Sequence, residues 1–349
     1  MDLLVQAPGP ALSLSRRHRR RRRGLLAGLA LLAALALLSL AIGSHAIALE
    51  VTWQALYASD PTNSQHLILR ELRLPRTLVA LLAGMALGTA GAVMQAVTRN
   101  PLAEPGLLGI NAGAALAVII GVALGQLTSM AQYLGLAFCG AGLAGALVFL
   151  LGRAHETGTN PVRLVLAGAG LSVMLAALTG IIVLNCPPEV FDHFRHWASG
   201  SLSATGLALL PVPAIAVACG LGMALAIGPR LNALALGQEL GRALGVNLRL
   251  TWLLACLAVM LLAGAATAMA GPIGFIGLVA PHLARMLVGP DYRWILPYSA
   301  LLAAGLLLAA DMLGRVLVAP QEIAAGIITL LLGGPCFIVL VRRFRLSRL

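Results

Sequence analysis

Three arginines in seven residues, Arg70, Arg73 and Arg76 of "RELRLPR", stand just before a long apolar run. Guanidinium groups do recognition chemistry: each presents a planar fork of donors to a carboxylate or a phosphate. A fourth arginine, Arg315, lies four residues after Asp311, the spacing of a helical ion pair. With Glu322 and His282, Asp311 is among the few titratable groups near apolar runs, a sparse set for an ion-coupled carrier, which draws on buried carboxylates or histidines. "FDHFRHWASGSL" (191–202) holds Asp192, His193 and His196, a donor set able to bind a metal. The same segment reads as a short interfacial helix with Phe191, Phe194 and Trp197 on its apolar side, and that reading is preferred, with no metal expected. Hydrolytic chemistry is missing. There is no HExxH and no GxSxG. There is no lysine anywhere, so no P-loop can reach a nucleotide phosphate and the chain is not expected to hydrolyse ATP. The five cysteines stand singly with no CxxC, so neither disulfide nor metal is expected of them.

These groups need a scaffold, and composition names its kind. The chain has 349 residues, 60% hydrophobic and 10% charged, with mean hydropathy +0.94. Soluble domains are nearer half apolar and a quarter charged, so an all-α polytopic membrane protein is expected. Apolar runs fall near 24–43, 76–98, 106–125, 130–151, 161–184, 207–228, 249–270, 273–289, 294–313 and 322–341, about ten transmembrane helices. "SRRHRRRRR" (15–23) followed by an apolar run is also a signal-peptide pattern, but the run is too long for one and reads as a retained first helix. With the N-terminus in the cytoplasm, ten spans return the C-terminus there. Nineteen arginines then lie inside and five outside, as the positive-inside bias requires. The net charge of +12 thus sets topology; no nucleic-acid partner is expected. The domain reading is an Arg-rich cytoplasmic tail, 1–23, and one transmembrane domain, 24–349. "RELRLPR" falls on the outer face, where its arginines read as lipid-phosphate anchors or as a docking site.

"TRNPLAEPGLLGINAGA" (98–114) and "GPIGFIGLVAPHLARMLVG" (271–289) interrupt the apolar pattern with glycine and proline. The echo of "GLLGINAGA" in "GFIGLVAPH" suggests duplicated halves, spans 2–5 and 7–10, inverted because they start on opposite sides. Residues 228–248, within "GPRLNALALGQELGRALGVNLRL", form an amphipathic cytoplasmic segment. It reads as a surface helix or as a docking element for a partner that supplies energy.

Together, "RLPRTLVALLAGMALGTAGAVMQAVTRNPLAEPGLLG" (73–109), "LALGQELGRALGVN" (234–247), the 271–289 segment and "LPYSALLAAGLLLAADMLGR" (296–315) resemble the FecCD-type permeases of ATP-driven importers for iron–siderophores, haem and vitamin B12. The resemblance implies a permease that moves cargo from periplasm to cytoplasm across the bacterial inner membrane. It binds no cofactor itself; two ATPase subunits use ATP. Its expected partners are a second permease, as heterodimer or homodimer, a periplasmic binding protein and membrane lipid. By resemblance, Arg73, Arg76 and Arg315 meet acidic residues of the binding protein. Leu236, Gly237, Glu239, Leu244 and Gly245 couple to the ATPase through a sharp turn between two short helices. The cytoplasmic gate matches Thr159, Asn160, Pro161 and Val162. "LNCPPEVFDHFRHWASGSL" and "GPDYRWILP" look most like permeases for ferric enterobactin and related catecholates. Vitamin B12 or haem is the alternative cargo, and an ion-coupled secondary transporter the alternative class.

Overall fold

The computed structural model describes residues 10–43, 47–58, 60–125, 127, 129–152, 161–203 and 205–346. Among them the chain is all helix, with no strand. Helix α1 (Pro10–Ala41) is continuous through the arginine run into the first apolar stretch. Two short helices, α2 (Leu49–Tyr57) and α3 (Ser64–Leu67), lead into a π-helical turn, Ile68–Arg73. Then follow α4 (Leu74–Thr98), α5 (Ile110–Gly125), α6 (Met130–Leu151) and α7 (Pro161–Asn185). The amphipathic α8 (Pro188–Ala198) links α7 to α9 (Pro211–Ala235). A short α10 (Gln238–Ala243) precedes α11 (Leu248–Ala270), α12 (Ile276–Val288), α13 (Tyr292–Val316) and α14 (Ala325–Leu346).

Seven helices among the described residues are long and apolar enough to cross a bilayer, and α5, α12 and the apolar part of α14 are shorter. At about 1.5 Å per residue the 13-residue α12 covers only about 20 Å, short of a hydrocarbon core. The expected span 273–289 is therefore largely irregular over its first residues. Conversely α9 runs past the expected end at 228 to Ala235, because Pro229 inside it does not break it. A membrane helix tolerates such a proline when neighbours re-satisfy the freed carbonyl.

Helices α4 and α11 form the centre, with 78% and 72% of their apolar windows buried, whereas α1 and α7 are 17% buried. Close approach there depends on small residues, since lipid tails offer no hydrophobic drive between helices. The spaced glycines Gly84 and Gly88 meet the α13 backbone at Ala304 and Ser299. A Cβ on Gly91 would lie 1.8 Å from the Gly277 carbonyl oxygen of α12. Gly91→Ala must push α4 and α12 apart, an overpacking cost of about 1–3 kcal/mol. A lower melting temperature in detergent is expected, while Gly180→Ala, where a Cβ meets nothing within 4 Å, leaves it unchanged.

The two interrupted segments meet. Glu104, half-buried before α5, accepts a hydrogen bond from the Phe275 backbone N–H at 3.1 Å, just before α12. Arg99 and Phe275 both adopt left-handed backbone (φ 51° and 65°), so each break is a fixed bend. Nearby, Thr267 of α11 donates to Asn111 of α5 at 2.8 Å.

Candidate functional site

Two regions at opposite ends of the bundle carry the recognisable chemistry. The first gathers around the C-terminal end of α1. A helix end leaves carbonyls without intrahelical partners. Arg73 donates to the Leu40 and Ala41 carbonyls, each at 2.8 Å. Arg315 donates to the Ser39 and Ile42 carbonyls at 2.9 and 3.1 Å and to the Ser39 hydroxyl at 2.6 Å. Two arginines from distant segments thus cap one helix.

The third arginine joins them through carboxylates. Arg76 Nε donates to Asp311 Oδ1 at 2.8 Å, and its Nη1 donates to Glu322. Asp311 Oδ2 lies 2.7 Å from Arg315 Nη2, realising the helical spacing read from the sequence. Asp311 is fully buried, and Arg73, Arg76 and Arg315 are buried with it. Here the structure corrects the expectation of exposed guanidiniums. The π-helical turn before α4 swings Arg73 inward, and Arg76 follows one turn later on the protein-facing side of α4. The cluster is not sealed. Arg73, Arg76, Arg315 and Glu322, with Gly43, Ile68, Leu72 and Ser203, line a cavity of about 280 Å³. Glu322 keeps 34% of its side chain exposed there. Three arginines against two carboxylates leave the cavity one positive charge in excess.

Beside it, α8 buries Phe194 and Trp197, but Phe191 is exposed under the Arg195 guanidinium, 5.6 Å from ring centre. Asp192 is engaged by Arg195 at 2.9 Å. Phe191 therefore leaves the apolar side assigned to it. Among the described residues no three His, Cys, Asp or Glu side chains gather as a metal set.

The second region is the α9–α11 connection. It contains one short helix, α10, rather than two, because α9 itself continues to Ala235. Gly237 (φ 117°) and Gly245 (φ 77°) flank α10 in backbone that side-chain-bearing residues rarely adopt. Between them the chain turns sharply enough to aim Leu236, Leu240 and Leu244 outward, at 63%, 55% and 64% exposure, with Glu239 exposed among them. Leu240 completes the apolar set and was absent from the sequence reading. Its i+4 spacing from Leu236 and to Leu244 was the available signal.

The loop is held from beneath by Asn232, another residue the sequence reading missed. Its side chain donates to Asp291 at 2.8 Å and accepts from the Tyr292 N–H at 2.7 Å. This two-way amide bond ties the end of α9 to the start of α13. A cavity of about 410 Å³ opens alongside, lined by Gln95, Arg99, Ala235, His282, Arg285 and Tyr292 among others. Arg285 donates to Gln95 there at 3.1 Å. Of the expected gate, Thr159 and Asn160 lie outside the described residues; Pro161 starts α7 and Val162 is exposed.

An apolar helical bundle with seven helices long enough to cross a bilayer, among the described residues, has the make-up of a multi-pass membrane protein. Comparison with known proteins gives that class its family. Residues 31–343 match the FecCD transport family, and the chain belongs to that family. It is 45% identical to the ferric enterobactin transport system permease protein FepD of Escherichia coli K12, over 88% of this chain and 91% of that protein. It is 40% identical to the hemin transport system permease protein HmuU of Yersinia pestis, over 89% and 94% respectively. A solved inward-facing metal-chelate type ABC transporter superposes with a TM-score of 0.80 at 30% identity, covering 92% of this chain and 99% of that one. The protein is thus a transport subunit of an ATP-binding-cassette importer and not an enzyme; ATPase activity belongs to partner subunits.

Proposed function

We propose that this permease carries a ferric siderophore, of the catecholate enterobactin type, from periplasm to cytoplasm across the bacterial inner membrane. The 45% likeness to a ferric enterobactin permease over nearly the whole chain supports that cargo above others. Haem is the second reading, favoured by the hemin permease at 40%, with vitamin B12 behind it. Two permease subunits enclose the pathway, as a heterodimer of paralogues or a homodimer, and two ATPase subunits drive them. The chain crosses ten times, its seven long helices joined by the shorter α5, α12 and α14, with both termini cytoplasmic. The repeat halves are α4–α7 and α11–α14. In each, the second helix is the short one and follows an interrupted segment.

Arg73, Arg76 and Arg315 receive the binding protein through the cavity that they line. An acidic side chain entering it exchanges with Glu322 for Arg76, which the excess positive charge favours. Glu322→Gln removes the internal competitor. It is expected to tighten binding-protein affinity at low salt, measured by surface plasmon resonance on nanodisc-embedded transporter. Unchanged affinity would sink this role for the cavity. Leu236, Gly237, Glu239, Leu244 and Gly245, with Leu240, seat in the ATPase. The gate lies at the α6–α7 connection around Thr159, Asn160, Pro161 and Val162.

Cargo is tested by uptake of labelled ferric enterobactin, haem and vitamin B12 in cells with and without the gene. Loss of ferric enterobactin uptake alone supports the reading. Loss of only haem or vitamin B12 uptake replaces the cargo and keeps the machine.

A further inference from the structure

Helix α1 has two unlike sides where it leaves the apolar region. On one, Arg21 is held against the protein. Its guanidinium donates to the Val288 carbonyl, lies 3.6 Å from Asp291, and stands 5.8 Å from the centre of the Trp294 ring. Its own carbonyl accepts from the Tyr298 hydroxyl at 2.7 Å. His18 packs on Trp294 from the same helix, with ring centres 6.0 Å apart. One and two turns further, Gly24 and Gly28 sit against Tyr298 and Leu301 of α13. The arginine run is therefore a fixed helix, clamped to the turn between α12 and α13.

The other side is exposed among the described residues. At 100° per residue, Arg19, Arg22 and Arg23 fall on one stripe with Leu26, Leu29 and Leu37. All three arginines are exposed, and the three leucines are 66%, 49% and 46% exposed. An exposed leucine stripe on a membrane helix lies in acyl chains. The arginines that continue it by one to two turns therefore stand at headgroup depth. Trp294, only half-buried at the same level, is the residue type enriched at a bilayer boundary. Among the described residues no ion pair to these three arginines is formed.

We propose that Arg19, Arg22 and Arg23 form a binding site for the headgroups of anionic phospholipids in the leaflet at the α1 N-terminal end. Two features separate this from a diffuse basic tail. The backbone is helical and clamped, so the three guanidiniums are pre-arranged and little order is lost when a phosphodiester binds. Guanidinium forks also match phosphate oxygens in geometry as well as charge. Each arginine near an anionic surface contributes on the order of fivefold in binding. The stripe together should retain anionic lipid on the order of a hundredfold more strongly than zwitterionic lipid.

The test uses the full chain in nanodiscs of phosphatidylcholine containing a minor share of phosphatidylglycerol, followed by detergent extraction and native mass spectrometry of the lipid that stays bound. Wild type should keep phosphatidylglycerol in preference to phosphatidylcholine and lose it as salt rises. R19Q/R22Q/R23Q should lose that preference, while R19K/R22K/R23K keeps most of it. Arg21 is left in place so that the clamp survives. Equal retention of both lipids by wild type, or salt-insensitive retention, overturns the proposal on unmutated protein. Retention by the glutamine variant with lost binding of the ATPase subunit overturns it too, and assigns the stripe to a protein partner. The wild-type arm does not involve cargo, so its outcome is separate from that of the uptake assay.

Discussion

Replacing Asp311 with alanine is expected to leave little folded protein. The carboxylate is fully buried and faces two guanidiniums, Arg76 Nε at 2.8 Å and Arg315 Nη2 at 2.7 Å. Removing one partner of a buried pair leaves uncompensated charge and costs about 3–5 kcal/mol. Here one deletion affects two cations. Glu322 cannot replace it, because it already engages Arg76 from the cavity rim. Arg315 retains its carbonyl bonds to α1, but carbonyl dipoles do not neutralise a full charge. The measurement is the yield of monodisperse protein by size-exclusion chromatography and its melting temperature in detergent. Asp311→Asn, which keeps shape and one acceptor, should fall between alanine and wild type. A melting temperature for Asp311→Ala within a degree or two of wild type would refute the network's structural role.

The second large effect is functional. Leu236→Ser, Leu240→Ser and Leu244→Ser together should abolish cargo-dependent ATP hydrolysis in proteoliposomes while leaving the permease folded. The three side chains are more than half exposed, so little internal packing is lost. On the proposed docking role they anchor the ATPase, and an interface anchor contributes about 2 kcal/mol or more. Truncating three removes about 6 kcal/mol if the losses add, which weakens ATPase binding by roughly ten-thousandfold. Co-purification of the ATPase subunits and coupled hydrolysis should both fail. Wild-type coupling in the triple variant would refute the docking role of α10. Asn232→Ala acts differently: it frees the loop from α13 without touching the knobs. Coupling should weaken while ATPase binding persists, because the Asn232 side chain is engaged by Asp291 and Tyr292 and the exposed leucines are unchanged.

What could be read from the sequence was local. The ion pair of Asp311 with Arg315 follows from one helical turn. The glycine-flanked turn at 237–245 follows from residue type, because only glycine adopts those φ angles without strain. The interrupted texture at 98–114 and 271–289 was equally legible, since glycine and proline punctuate helices wherever they cluster. What escaped was what distance in the chain conceals. Arg76 finds Glu322 across 246 residues, Glu104 finds Phe275 across 171, and Asn232 finds Tyr292 across 60. No periodicity reports such meetings. The exposure of the three arginines was misjudged for the same reason. A basic segment beside an apolar run reads as surface until the carbonyls that will cap it are known. The fold class, by contrast, was set by composition and run length, because backbone crosses lipid only as helix or closed barrel and continuous apolar runs of about twenty residues select helix.

The capping of α1 by Arg315 has a consequence for biogenesis. The carbonyls of Ser39 and Ile42 leave the ribosome long before the side chain that satisfies them, which lies 276 and 273 residues later. At ordinary elongation rates that gap is on the order of tens of seconds. During it, α1 sits in the bilayer with its far end hydrated, held by Arg73 at best once α4 has entered. The cap closes only when α13 has inserted. Insertion of α13 is then the step that converts a row of independently inserted helices into a locked bundle.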